Sequence, residues 1–93
     1  MTHEEIESRL KALICETLAV KPDAISRSTR FDADLGADPL DCVELVMLCE
    51  EEWDIHISED EAEAAYTFGR LADLIDSKKN GKRNGVSSSE ASA

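Results

Sequence analysis

The sequence predicts an all-α domain, a four-helix bundle with three longer helices, one short helix and a long first loop. Three segments repeat apolar residues every three or four positions, which is the spacing of a helix with a buried face. The one segment that alternates apolar and polar residues is too short to form a stable strand without a partner. A chain of 93 residues has room for one small domain with one modest core.

The first helix is predicted over residues 4–18, with Thr2 or His3 as its N-cap. Its buried face consists of Ile6, Leu10, Leu13, Ile14 and Leu18. Pro22 ends this segment because the residue before a proline is disfavoured in the helical conformation. A connection of about twenty residues then leads to Asp38. Loops of that length need anchors, and we expect a short helical turn inside it. The expected anchors are Val20, Ile25, Phe31 and Leu35.

The second helix is predicted to start at Pro39 and to continue through Trp53. The carboxylate of Asp38 can accept from the free amides of the first turn. Proline is tolerated at the first helical position because the amide of that residue has no partner within the helix.

Projected at about 100° per residue, this helix carries two apolar stripes. The broad stripe, predicted to face the core, consists of Cys42, Leu45, Val46, Cys49 and Trp53. The narrow stripe, predicted to face solvent, consists of Leu40, Val43 and Met47. Acidic residues border the narrow stripe: Glu44, Glu50, Glu51 and Asp54. An apolar strip framed by carboxylates is suited to bind a basic protein surface.

The rest of the chain contains two further helices. The segment 54–58 is predicted to be an extended connector that buries Ile55 or Ile57. Ser58 and Glu61 match a capping box, which predicts a short helix to about residue 65. The apolar face of the last helix consists of Phe68, Leu71, Leu74 and Ile75. We expect residues 1–77 to form the domain and residues 78–93 to form a disordered, basic and serine-rich tail.

The charge distribution restricts the classes of partner. The net charge is −11, and the 13 Asp and Glu residues between Arg30 and Arg70 are accompanied by no Lys or Arg. Nucleic acids and anionic membranes are disfavoured because both require cationic groups on the protein. Proteins with basic patches are the expected partners. The first residues lack the pattern of a signal peptide, and three cysteines without framework spacing fit a reducing compartment. We therefore expect a cytoplasmic monomer.

A motif in the middle of the chain resembles a known family. The residues Phe31-x-x-Asp-Leu-Gly-Ala-Asp-x-Leu-Asp41, followed by Val-Glu-Leu-Val-Met47 and Glu-Glu-Glu-Trp-Asp54, are similar to the acyl carrier proteins of type II fatty acid and polyketide synthesis. The resemblance extends over about residues 4–76. It implies a four-helix bundle that carries 4'-phosphopantetheine on a serine directly after Gly-Ala-Asp.

The resemblance also implies two surfaces. The second helix would dock on basic patches of synthases, transferases and reductases. The docking residues would be Asp38, Leu40, Asp41, Val43, Glu44, Met47, Glu50 and Glu51. The core would hold an acyl chain. Its pocket would be lined by Cys42, Leu45, Val46, Cys49, Trp53, Ile57 and Leu71.

One residue departs from the family pattern. Pro39 stands where the family has its serine, and proline has no hydroxyl to form the phosphodiester. We therefore expect no covalent cofactor, and a carrier-like domain that regulates, decoys or scaffolds a partner by non-covalent docking. One alternative is an ordinary carrier of fatty acid or polyketide synthesis in which Pro39 is a variant. Another is a helical bundle that binds lipid non-covalently.

Other chemistry is less well supported. Cys42 lies one turn after Pro39, but nearby carboxylates, Asp38, Asp41 and Glu44, should raise the pKa of its thiol and disfavour an acyl thioester. The two histidines, His3 and His56, have no neighbouring nucleophile. We expect no catalytic residues and no enzymatic activity.

A calcium loop is also disfavoured. The spacing of Asp32, Asp34 and Asp38 is similar to that of an EF-hand loop. However, Gly36 comes one position early and Val43 stands where a bidentate glutamate is required. We expect no dedicated metal site.

Overall fold

The computed structural model describes residues 2–80, which fold into four α-helices. Their bounds are α1 (His3–Leu18), α2 (Pro39–Trp53), α3 (Glu59–Ala64) and α4 (Phe68–Asn80). A 3₁₀ turn, Pro22–Ala24, lies in the long first loop, as predicted. Within residues 2–80 there is no strand, and only an isolated antiparallel bridge joins Arg30 to Thr67. The predicted all-α four-helix architecture is confirmed.

Helix α4 extends beyond the predicted domain boundary. It ends at Asn80, so the predicted domain boundary at residue 77 falls within a helix. Lys78 contributes to this extension, because its ammonium lies 2.9 Å from the Glu61 carboxylate of α3. The Lys79 ammonium donates to the Trp53 carbonyl at the end of α2. The predicted disorder of the remaining tail concerns residues outside the described range.

Three of the four helices begin with a capping box. In α1 the Thr2 hydroxyl accepts from the Glu5 amide, and the Glu5 carboxylate accepts from the Thr2 amide. Of the two predicted caps, Thr2 rather than His3 is therefore the N-cap. The same reciprocal pair recurs at α2 with Asp38 and Asp41 and at α3 with Ser58 and Glu61. Each pair satisfies two backbone amides that the helix leaves without partners.

The core lies where α1, α2 and α4 meet. Its fully buried members from α1 are Ile6, Leu10 and Ile14. Trp53 closes the core from the end of α2. In the connector after α2, Ile57 is buried, Ile55 is half-buried and His56 points to solvent, as its alternation predicted.

The long loop is fixed by both side chains and backbone. The four predicted anchors all contact the core: Ile25 and Phe31 are buried, and Val20 and Leu35 are half-buried. Gly36 has φ +70°, a left-handed conformation that glycine adopts without steric cost.

Backbone contacts that sequence patterns do not encode hold the same loop against the start of α4. The carbonyls of Arg27 and Thr29 accept from the amides of Gly69 and Phe68 at 2.9 and 3.0 Å. A Cβ atom on Gly69 would lie 2.8 Å from the Arg27 carbonyl oxygen, so this close approach requires glycine.

A cluster of charged side chains joins α1, the loop and α4. The Arg27 guanidinium pairs with Glu7 and, at 2.8 Å, with Asp73. The His3 ring lies 2.6 Å from Glu7 and 3.1 Å from Asp76. The hydrogen bond to Asp76, opposed by partial burial and reinforced by Glu7, raises the pKa of His3.

Candidate docking surface and cleft

The narrow stripe of α2 is exposed. The solvent-exposed fractions of Leu40, Val43 and Met47 are 79%, 56% and 55%. They stand out because the other large apolar side chains in residues 2–80 are buried or half-buried, with the exception of Tyr66. The exposure expected from the helical projection is confirmed. The strip is therefore a candidate docking surface.

The acidic residues that border the stripe are not neutralised. Glu44 and Glu51 are exposed, whereas Asp38 and Asp41 accept from each other's amides in the capping box. Within residues 2–80, no Lys or Arg nitrogen lies within 4 Å of these four carboxylates. This surface therefore keeps its full negative charge.

Glu50 has a different role from the other acidic residues of the predicted docking surface. Its carboxylate accepts from the Ile57 amide at 2.9 Å and lies 3.3 Å from the His56 ring. Its side chain is only 28% exposed. Glu50 therefore holds the connector after α2 instead of projecting freely beside the narrow stripe, because the connector folds back along the helix.

A cleft of about 560 Å³ opens between α2 and α3. Its α2 wall consists of Pro39, Cys42, Val43, Leu45, Val46 and Met47. Its other side consists of Ile57, Ser58, Glu59, Ala62 and Glu63. Phe31, Asp32, Ala65, Tyr66 and Leu71 complete the lining. Val43 and Met47 thus belong to both the narrow stripe and the cleft.

Five of the seven predicted pocket residues line this cleft: Cys42, Leu45, Val46, Ile57 and Leu71. Cys49 and Trp53 do not. Both are buried in the core, but the cleft follows only residues 39–47 of α2 and they lie beyond it along the helix axis. A helical projection gives the direction in which a side chain points, but not its position along the helix axis.

Sequence reasoning did not assign Phe31, Ala62, Ala65 or Tyr66 to the pocket, and it also missed the polar lining residues, which are Asp32, Ser58, Glu59 and Glu63. Phe31 was recognisable as a loop anchor, but its place against α2 depends on the bond from its amide to the Tyr66 carbonyl. Ala62 and Ala65 are too small to show a periodic signal. Their role follows from the packing of α3.

Comparisons with known proteins agree with this architecture. The family model described as "Phosphopantetheine attachment site" matches residues 8–75. This chain is a member of the acyl carrier protein family. An acyl carrier protein of Buchnera aphidicola (strain Tuc7) is 48% identical over 80 residues, which cover 86% of this chain and 99% of that protein. The protein of strain 5A is 47% identical over 75 residues, covering 81% and 94%.

A solved structure supports the same assignment. The acyl carrier protein from Enterococcus faecalis superimposes with a TM-score of 0.74 at 29% sequence identity. The match covers 84% of this chain and 99% of that chain. Acyl carrier proteins are carriers rather than enzymes, and they bind 4'-phosphopantetheine and interact with enzymes of fatty acid synthesis.

In this acyl carrier family member, position 39 does not fit the cofactor that the family carries. Pro39 is exposed as the first residue of α2 and borders the cleft. Its ring offers no oxygen for a phosphodiester. The aliphatic hydroxyl among the cleft-lining residues belongs to Ser58. Its oxygen accepts from the Glu61 amide and caps α3.

The cysteine thiols of α2 are poor nucleophiles. Cys42 is half-buried, and burial, followed by the charges of Asp32, Asp41 and Asp38, raises the pKa of its thiol. Asp32 contributes in place of the expected Glu44, because the loop brings it beside the cleft. Burial raises the pKa of Cys49 to about 12. A raised pKa disfavours the thiolate, which is the form in which cysteine reacts as a nucleophile.

The structure offers no further reactive group at the sites considered. Among residues 2–80, no three His, Cys, Asp or Glu side chains are gathered in a way that could hold a metal ion. The side chain of His56 is 87% exposed and faces only Glu50. No helix in the described range is both long and apolar enough to cross a membrane.

Proposed function

We propose that this protein acts without a covalent arm, by docking the narrow stripe and acidic border of α2 on basic patches of proteins that recognise acyl carriers. It would do so as a cytoplasmic monomer that regulates, decoys or scaffolds its partner. The observation that carries this proposal is Pro39, which removes the attachment oxygen at the head of a helix whose outer face is retained.

The position of the proline explains how attachment and docking can be separated. At the first helical position, proline removes no hydrogen bond and its fixed φ suits a helix. The capping box between Asp38 and Asp41 forms around it. Helix α2 therefore keeps its start, its register and the exposure of Leu40, Val43 and Met47.

The expected partner is basic because the carboxylates that border the narrow stripe have no internal base to offset their charge. A cationic patch would meet Asp38, Asp41, Glu44 and Glu51 without displacing any internal ion pair. Opposite charges on two surfaces raise the association rate and fix the orientation of docking. The three apolar side chains would add buried area at the centre of such an interface.

Intact mass measurement tests the loss of the arm. The purified chain is incubated with coenzyme A and a broad-specificity phosphopantetheinyl transferase. We expect no mass increase for the natural sequence. The matched control is Pro39→Ser, which restores a hydroxyl at the same helical position and should gain one phosphopantetheinyl group.

The same assay decides the main alternative. Relatives of 48% identity favour an ordinary carrier, and that function requires an adduct on the natural sequence. An adduct on the unaltered chain would therefore refute the proposed function. A modified Pro39→Ser variant beside an unmodified natural chain would support it and exclude an inactive transferase.

A binding experiment tests the docking surface. The chain with Glu44→Lys and Met47→Ala is titrated against a purified synthase of type II fatty acid synthesis. We expect affinity to fall by about tenfold or more, since this is the effect of only about 1.4 kcal/mol. Glu16→Lys is the control, because it makes the same charge change on an exposed position of α1. Equal weakening by both changes would indicate a general charge effect and count against the surface.

A further inference from the structure

The geometry points to a specific use of the cleft between α2 and α3: it receives one bulky aromatic side chain of the docked partner, carried between Lys or Arg residues. This inference rests on the proposed function and adds to it the anchor residue. In such an interface the narrow stripe supplies the surrounding contact and the cleft supplies the pocket.

The position of the cleft supports this use. Val43 and Met47 form part of the narrow stripe and part of the cleft lining. A partner segment that lies along α2 therefore covers the opening between α2 and α3. The volume of about 560 Å³ falls within the range of ligand pockets and exceeds the needs of one aromatic side chain.

The interior of the cleft is apolar. Its floor includes Leu45, Ile57 and Leu71, which are 2%, 5% and 2% exposed. Transfer of an aromatic ring from water to such a floor is favourable, and anchors of this type dominate many protein interfaces. Because Pro39 carries no arm, this chain has no covalent group of its own at that position to occupy the site.

The charges at the rim select the occupant. Carboxylates of Asp32, Glu59 and Glu63 line the cleft, and no Lys or Arg is among its lining residues. An anionic head group at this opening would be repelled, whereas cationic neighbours of an inserted ring would be attracted. Two bases, Arg30 and Arg70, stack on the ring of the lining residue Tyr66, 5.0 and 5.3 Å from its centroid. Arg30 is also paired with Asp32. The carboxylates of Glu59 and Glu63, for which no ion pair with a base is found among residues 2–80, favour a basic protein segment over a fatty acid.

Two synthetic peptides test the anchor. Both are short amphipathic helices of Lys and Ala, labelled with fluorescein, and they differ only in a central Trp or Ala. Fluorescence polarisation with the full chain should give about tenfold tighter binding for the Trp peptide. Ala62→Phe fills the cleft and should abolish this preference. Ala64→Phe is the control, because it adds the same ring to an exposed position of α3 outside the cleft.

Methyl NMR of the unaltered chain gives a readout independent of those variants. The Trp peptide should shift the Leu45 and Leu71 methyl resonances by the ring current of its indole, and the Ala peptide should not. Three results would refute the aromatic anchor. The two peptides could bind with equal affinity, or neither could bind. The preference for the Trp peptide could also survive in a folded Ala62→Phe variant.

Decanoate is the competing probe. If decanoate shifts the same methyl groups while the Trp peptide does not, the cleft is a lipid site and the proposal is wrong. If both peptides bound equally and their binding weakened with salt, the aromatic anchor would be refuted. The proposed docking through α2 would still stand. A phosphopantetheinyl adduct on the natural sequence would refute the proposed function whatever the peptides show.

Discussion

Two faces of this molecule use the same kind of residue in opposite ways. Where α1 meets α4, acidic side chains are paired with bases: Glu7 and Asp73 share Arg27. On α2, Glu44 and Glu51 face water with no Lys or Arg nitrogen within 4 Å among residues 2–80. One face joins parts of the fold, and the other presents its charge to solvent.

The difference shows that net charge is a poor guide to function unless its location is known. The value of −11 describes the whole chain, but the ion pairs that Lys and Arg make among the described residues involve α1, α3, α4, the long loop and Glu52 near the end of α2. Glu44 and Glu51, beside the narrow stripe, have no base within 4 Å among residues 2–80. Exposed ion pairs contribute only about 0–1 kcal/mol each, so the core rather than the charge clusters holds the helices together.

The largest expected effect contrasts two leucines on α2. Leu45 is 2% exposed and Leu40 is 79% exposed. We expect Leu45→Ala to lower the free energy of unfolding by about 2–5 kcal/mol through lost burial and a cavity. Leu40→Ala should change it by less than about 0.5 kcal/mol. Urea denaturation monitored by circular dichroism measures both. A large loss of stability for Leu40→Ala would contradict an outward-facing narrow stripe.

A smaller effect on stability is expected at the paired face, where α1 meets α4. The pKa of His3 is raised from 6.5 in the folded chain, so its stabilising effect is complete below pH 6.5 and lost as the pH rises through the raised value. His3→Gln should therefore destabilise the protein more at about pH 5 than at about pH 8. Thermal unfolding of both proteins at the two pH values measures this difference.

Asp76→Asn provides the control for that prediction, because Asp76 is the main cause of the raised pKa of His3. In an Asp76→Asn background, the pH dependence of the His3→Gln effect should shrink. The opposing charge of Arg27, whose nitrogen lies 3.2 Å from the His3 ring, is present in every variant. If the destabilisation by His3→Gln grew with rising pH, the predicted sign of the pH dependence would be wrong.

The smallest expected effect concerns the unpaired face. Repulsion among uncompensated carboxylates should make the melting temperature rise with salt. Glu51→Gln should raise the low-salt melting temperature slightly and reduce the salt response. Glu7→Gln should lower it instead, because it removes a partner of Arg27. Differential scanning calorimetry at low and moderate salt compares them. If both variants respond to salt in the same way, the distinction between the two faces fails.

Periodicity and capping chemistry were sufficient to predict the helices and the outward stripe. The spacing of Leu40, Val43 and Met47 gives their direction, and Asp38 before Pro39 gives the start of α2. These features are local, since each depends on residues within a few turns. They were predictable without knowledge of any neighbouring element.

The cleft was only partly predictable because it depends on contacts between distant segments. Phe31 reaches α2 because the loop is bonded to Tyr66. Trp53 was assigned to the pocket because a projection ignores position along the axis. Glu50 was assigned to the surface, although a bond to the Ile57 amide binds it to the connector. These errors concern position along a helix or a partner on another segment, and local sequence patterns encode neither.

The capping boxes have a consequence for how the chain folds. The starts of α1, α2 and α3 are each defined within a few consecutive residues, from Thr2, Asp38 and Ser58 onward. Such a start requires no distant contact, so the first turns can form before the chain collapses and in the correct register. Helical proteins rich in local contacts fold in microseconds to milliseconds. For this chain the slow step should be the packing of α1, α2 and the long loop with α4, since those contacts join segments that are far apart in the sequence.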